Sequence, residues 1–170
     1  MTLPPNLSGS TEGPRRWGRA EDRTSTDPYK RAGKLHEPTV CPQCGAVYHN
    51  GRWQWTGRPA GAHEALCQAC HRINDDYPAG TVTIGGDFLK LHKEEILHIV
   101  RRQEEIEKPE HPLNRIMGIS DELDRITVRT TDIHLPRRIA EALKSAFDGA
   151  LTFHYDEGGY FLRAEWRRDD

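Results

Sequence analysis

The chain has 170 residues, 35% of them hydrophobic and 29% charged, with a formal net charge of −2. The length suits one domain or two small ones, and a mean hydropathy of −0.79 means that part of the chain lacks the apolar residues for a core. This balance excludes a uniformly basic nucleic-acid binder, so any basic surface must be local.

No apolar run approaches the length needed to cross a bilayer. The opening MTLPPNLSGSTEGPRR has no signal-peptide core. The expected location is the cytoplasm, where thiols stay reduced. There the four cysteines are expected as metal ligands rather than disulfides.

Residues 1–38 are rich in Pro, Gly, Ser, Thr and charge, and are expected to form a disordered arm. Its bases (Arg15, Arg16, Arg19, Arg23, Lys30, Arg31, Lys34) alternate with acids (Glu12, Glu21, Asp22, Asp27, Glu37). That mixture reads as a solvated leader first and as an RNA-gripping tail second.

Residues 39–80 hold all four cysteines and form the next unit. Cys41 and Cys44 make one C-x-x-C, Cys67 and Cys70 another, and 22 residues lie between them. Two such knuckles place four thiolates around one tetrahedral ion, which points to a zinc ribbon. An iron–sulfur cluster also takes four cysteines, and spacing alone leaves it open. Four cysteines complete the site without His71, which follows Cys70 and is the spare candidate. A closed site of this kind is structural, with no position for a reactive water. Four thiolates around a divalent ion leave two surplus negative charges, for which Arg52, Arg58 and Arg72 are the nearby counter-charges in sequence.

Between the knuckles, Asn50-Gly51 predicts a type I′ hairpin. The turn sets His49 opposite Arg52 and Tyr48 opposite Trp53, with Tyr48, Trp53 and Trp55 on one side of the ribbon. Such a face is either core for a unit too small to bury much, or a stacking platform for unpaired bases.

Residues 81–170 are expected to form an α+β domain. GTVTIGG reads as a strand. Leu89, Ile96, Ile99, Val100 and Ile106 mark a helix capped by Asp87 and ended before Pro109. RIMGI and RITVRT are two strands around SDELD. A second helix is expected from Pro136, with the stripe Ile139, Leu143, Phe147, flanked by Ala140 and Ala146, and a stop at Gly149. LTFHY and YFLRAEW alternate around DEGG as a closing hairpin. Leu151, Phe153 and Tyr155 share one face, as do Tyr160, Leu162, Ala164 and Trp166. The order β-α-β-β-α-β-β predicts helices packed on one face of a largely antiparallel sheet.

Ahead of the second helix, TTDIHLPRR offers either plain capping by Thr131 or Asp132, or an anion site. Arg137 and Arg138 stand in the first turn, where the helix dipole disfavours positive charge, so a phosphate-bearing partner or Glu141 would offset them. There is no phosphate-loop, zinc-protease or nucleophile-elbow motif, and nothing nominates a catalytic residue.

CPQCGAVYHNGRW, CQACHRINDDYPAG and TTDIHLPRRIAEAL with the closing hairpin together resemble a small family of bacterial zinc-ribbon proteins similar to the N-terminal part of nonsense-mediated-decay protein 3, a large-ribosomal-subunit adaptor. The resemblance runs from about Cys41 to Trp166 and implies that Cys41, Cys44, Cys67 and Cys70 bind Zn2+. It also implies RNA or a ribosomal subunit as partner. The expected function is therefore non-enzymatic, zinc-stabilised RNA binding or ribosome association. Its contacts would come from Tyr48, Arg52, Trp53, Trp55, Arg72, Arg137 and Arg138. The alternative is a protein–protein adaptor whose zinc is purely structural.

Overall fold

A computed structural model describes residues 27–29, 34–156, 158 and 160–170. Most of the expected arm, including six of its seven basic residues (all but Lys34), lies outside the described residues, as do two positions of the closing turn. The chain builds a small four-stranded sheet with one helix, followed by a five-stranded sheet with two helices. This is the expected α+β class with a four-cysteine cluster.

The small sheet has the order β3-β2-β1-β4, from β1 (Thr39–Val40), β2 (Val47–His49), β3 (Arg52–Gln54) and β4 (His63–Glu64). Asn50 and Gly51 both take positive φ, 53° and 78°, as a type I′ turn requires. The register pairs Tyr48 with Trp53 and His49 with Arg52. Sequence reading missed β1, which pairs antiparallel with β2 and parallel with β4, and helix α1 (Gln68–Asp75), which grows out of the second knuckle.

The large sheet has the order β6-β7-β5-β9-β8, and only the β5–β9 pairing is parallel. Its strands are β5 (Gly80–Gly85), β6 (Ile116–Asp121), β7 (Arg125–Thr130), β8 (Ala150–Tyr155) and β9 (Leu162–Arg167). Alternation sends Val82, Ile84, Ile126, Val128, Ala164 and Trp166 to one face, where they are buried. Helices α2 (Phe88–Glu107) and α3 (His134–Phe147) close over them with Leu89, Ile96, Val100, Leu135, Ile139 and Leu143.

Local details differ from expectation for local reasons. In α2, Leu97 is buried although it was not among the expected stripe residues, and Ile106, which was, is half exposed. The helix is kinked at His92 (φ −122°, ψ 18°), whose ring stacks on Phe88 at 3.9 Å. Asp87 makes no capping hydrogen bond; its carboxylate takes Lys90 instead. In α3 the Asp132 carboxylate accepts from His134 N and Leu135 N, at 2.8 and 3.1 Å. The helix therefore begins two residues before Pro136, whose missing N–H falls in the first turn. Ala146 is exposed, and Tyr160 lies ahead of β9 rather than in it.

Residues 27–29, within the expected arm, are docked. Asp27 is buried and accepts from Arg72 Nη2 at 2.6 Å. The Arg72 guanidinium lies 4.4 Å from the Tyr29 ring centre and 5.3 Å from that of Tyr160. Burial and the charge of Asp27 push the Tyr160 hydroxyl up to about 12. Removing one partner of a buried ion pair leaves the other charge uncompensated. Asp27→Ala should therefore cost about 3–5 kcal/mol, read as a lower urea midpoint at unchanged slope.

Candidate metal centre and its surroundings

Cys41 and Cys44 stand on the turn after β1, and Cys67 and Cys70 on the first turn of α1. Their four Sγ atoms lie within 4.8 Å of one another. The first knuckle is closed by Gly45 N donating to Cys41 O at 2.9 Å and Cys41 N to Ala46 O at 2.8 Å. Gly45 takes φ 81°, and its N–H serves a carbonyl rather than a sulfur. In the second, Cys67 is the N-cap of α1, its Sγ accepting from Cys70 N at 3.4 Å. Cys67 N in turn donates to Cys41 Sγ at 3.4 Å. The first turn of α1 thus points N–H groups at sulfur, which favours thiolate.

All four cysteines are free, and Cys44 Sγ lies 3.9 Å from Cys67 Sγ. A tetrahedral ion with metal–sulfur bonds of about 2.3 Å sets sulfurs about 3.8 Å apart. The cage is therefore close enough, and of the right donor type, to bind a metal ion. Burial opposes ionisation of Cys41, but backbone N–H groups of Cys67, Cys44 and Gln43 outweigh it and bring the thiol down to about 7. Burial pushes Cys67 and Cys70 upward, which is the cost of gathering thiols here without a cation.

The counter-charge comes from a residue that sequence reading missed. Arg115, just ahead of β6, is buried against the cage. It donates from Nη2 to Cys44 Sγ (3.2 Å) and Cys67 Sγ (3.4 Å) and from Nη1 to Cys70 Sγ (3.5 Å). Its Nε donates to Pro112 O at 2.7 Å. Burial works against its charge, but the Cys70 hydrogen bond and the neighbouring thiolates overcome it and raise its pKa. Thr131, expected as a helix cap, holds this loop instead: its hydroxyl donates to Leu113 O (2.6 Å) and accepts from Arg115 N (2.9 Å). No short-range signal marks Arg115, which stands 71 positions from Cys44. The three arginines expected near the cage have other partners or positions. Arg72 is enclosed with Asp27, Arg58 pairs with Glu64, and Arg52 is exposed. His71 is outside the group of clustered ligand atoms.

The aromatic hairpin is turned inward. Trp53 packs against the cysteine cluster with Leu66 and Leu113, and meets Tyr48 edge-on at 5.5 Å. Trp55 donates from Nε1 to Lys108 O at 2.8 Å, at the end of α2. Trp53 and Tyr48 thus pack together over the cysteine lobe, whereas Trp55 keeps 38% of its surface exposed. Arg72 is buried, which removes it from any outward contact surface.

Arg137 and Arg138 do face outward. With Glu107, His111, Asn114, His134 and Glu141 they line an open cavity of about 560 Å³ between the end of α2 and the first turns of α3. Arg138 Nε meets the buried Glu107 at 2.7 Å. Arg137 donates to Tyr155 Oη (2.7 Å) and Glu141 (3.4 Å), with the Phe153 ring centre 4.3 Å away. The hydrogen bond to Tyr155 raises its pKa most.

No family model, no curated protein and no solved structure matches the chain. Among the described residues no helix is long and apolar enough to cross a membrane.

Side chains that support a metal site from behind commonly change its affinity by about 10–100-fold. Arg115→Met keeps the volume and removes the charge. It should weaken metal retention by about that factor, measured by competition with a chromogenic chelator.

Proposed function

We propose that this protein is a non-enzymatic, zinc-clamped RNA-binding protein that associates with ribosomal particles. Zinc is the metal that fits best. The cage is all-sulfur and spans no more than 4.8 Å, the size of one tetrahedral ion rather than of a cluster of several irons. Four cysteines with Arg115 behind them leave no coordination position for substrate or water. The metal's role is to fold the cysteine lobe.

The RNA reading rests on the cavity beside α3. Arg137, Arg138, His111, His134 and Asn114 bring hydrogen-bond donors to one open concavity, and guanidinium forks suit phosphate oxygens. The carboxylates of Glu107 and Glu141 balance them at rest. A protein–protein adaptor is the second reading, favoured by two nearly bare apolar side chains. Leu91 on α2 is 86% exposed and Leu123 in the β6–β7 turn 95% exposed. The Lys93–Asp121 pair joins those two elements at 2.7 Å.

Metal analysis of the purified protein should find one zinc per chain. Cys67→Ser should lose the metal and the cysteine lobe's fold together, because the binding energy of such sites is folding energy. Retention of native structure without metal would refute the clamp. Sedimentation of tagged protein in lysate should place it with ribosomal subunits, and RNase or high salt should release it. A protein found only at the top of the gradient contradicts the RNA reading, and co-migration that survives RNase selects the adaptor.

A further inference from the structure

The large sheet has helices on one face only among the described residues. The other face is open, and its composition is unusual. The strand registers stack it in three rows. Gly118, Arg129, Thr81, Arg163 and His154 form the first; Ser120, Thr127, Thr83, Glu165 and Thr152 the second; Arg125, Gly85, Arg167 and Ala150 the third. Two rows of arginine thus flank a row of hydroxyls. The sequence pattern behind this is simple: Arg125 and Arg129 on β7, and Arg163 and Arg167 on β9, are four residues apart and share a face. Their Cα positions mark a rectangle of roughly 10 by 13 Å, from strand spacing and rise.

The ionic partners of this face stand at its perimeter. Arg125 faces Glu122 at 3.7 Å, Arg167 meets Asp169 at 2.8 Å, and Arg129 meets Asp76. Arg163 has no ion pair among the described residues. Exposed pairs of this kind hold little net energy, so a phosphate can replace the carboxylate on each guanidinium. Glu165 is the one acid inside the three rows. The glycines leave floor for the guanidinium groups: a Cβ on Gly118 would stand 2.9 Å from Arg129 Nη2.

Resting on the RNA reading above, we infer that this open sheet face is a second RNA-binding surface besides the α3 cavity, and that its ligand is double-helical RNA, held through phosphates and 2′-hydroxyls. Charge selects a polyanion, and guanidinium forks take phosphate oxygens in pairs. The threonine and serine hydroxyls between the arginine rows suit 2′-hydroxyls, which both donate and accept. Unpaired bases would need aromatic rings to stack on. The only ring within the rows is the His154 imidazole at the edge strand, and Phe161, at the margin, already carries Arg163 at 5.5 Å. A face rich in guanidinium and hydroxyl groups and poor in rings reads helical RNA by shape and backbone rather than by sequence.

The test is fluorescence anisotropy of zinc-loaded full-length protein with a short RNA duplex, the same RNA as a single strand, and the matching DNA duplex, across a salt series. The duplex RNA should bind tightest. Arg163→Gln/Arg167→Gln, two exposed positions, should lower that affinity by roughly tenfold or more and reduce the salt slope by about two. Glu165→Gln should tighten binding, a gain that no loss of fold can mimic. Wild-type affinity in the double variant, or no change in Glu165→Gln, overturns the assignment of the face. In that event, loss of binding in Arg137→Gln/Arg138→Gln confines the interface to the α3 cavity and leaves the proposed function standing. Preference for the single strand overturns the helical ligand. No binding to any RNA overturns both this inference and the RNA reading of the protein.

Discussion

The structure depends on one buried interaction, the guanidinium of Arg115 against the sulfurs of Cys44, Cys67 and Cys70. Four thiolates around a divalent ion carry two surplus negative charges. Burying them without a counter-charge is costly, and so is burying an arginine alone. Each makes the other tolerable. Arg115 belongs to the lobe of the large sheet and the cysteines to the small one, so the electrostatics of the metal cage also join the lobes. The loop that carries Arg115 is tied in turn to the end of β7 by the Thr131 hydroxyl, which accepts from Arg115 N, and by Thr131 N donating to Arg115 O.

The size of the cysteine lobe explains what its aromatics do. Four strands of two or three residues and one short helix bury little apolar surface. The lobe therefore spends its rings on itself and on its neighbour: Trp53 closes the cage with Leu113, and Trp55 reaches Lys108 O. Arg72 is used in the same way, as a cation boxed by Tyr29 and Tyr160 and neutralised by Asp27. Trp53 and Arg72 are committed inward, and the larger lobe carries the two concentrated arginine surfaces. There the α3 cavity and the open sheet face hold exposed arginines.

Much of this fold was legible in the sequence because it is written in local patterns. Asn50-Gly51 set the hairpin register, alternation in YFLRAEW put Leu162, Ala164 and Trp166 on one face, and the two C-x-x-C pairs defined the cage. What stayed hidden depends on distant pairings. Arg115 has no neighbour in sequence to betray its role, and the arginines closest to the cysteines along the chain proved to be the wrong ones. The short strands β1 and β4 exist only through pairing, β1 with β2 and with β4, and β4 with β1. The arginine rows were visible as residues on β7 and β9, but they become one surface only once β5 lies between those strands. Capping at Asp132 could be read as one of two local options. That the neighbouring Thr131 hydroxyl serves the Arg115 loop could not.

If the cage and Arg115 hold the lobes together, taking the metal away must be felt beyond the cysteines. Hydrogen exchange with and without a chelator measures this directly at Ile116–Asp121, the strand that Arg115 introduces. Removal of the metal should lower amide protection in that strand together with the cysteine lobe, while the centre of the sheet at β5 keeps its protection. Protection in Ile116–Asp121 that stays unchanged after the metal is gone would contradict the coupling on which this account rests.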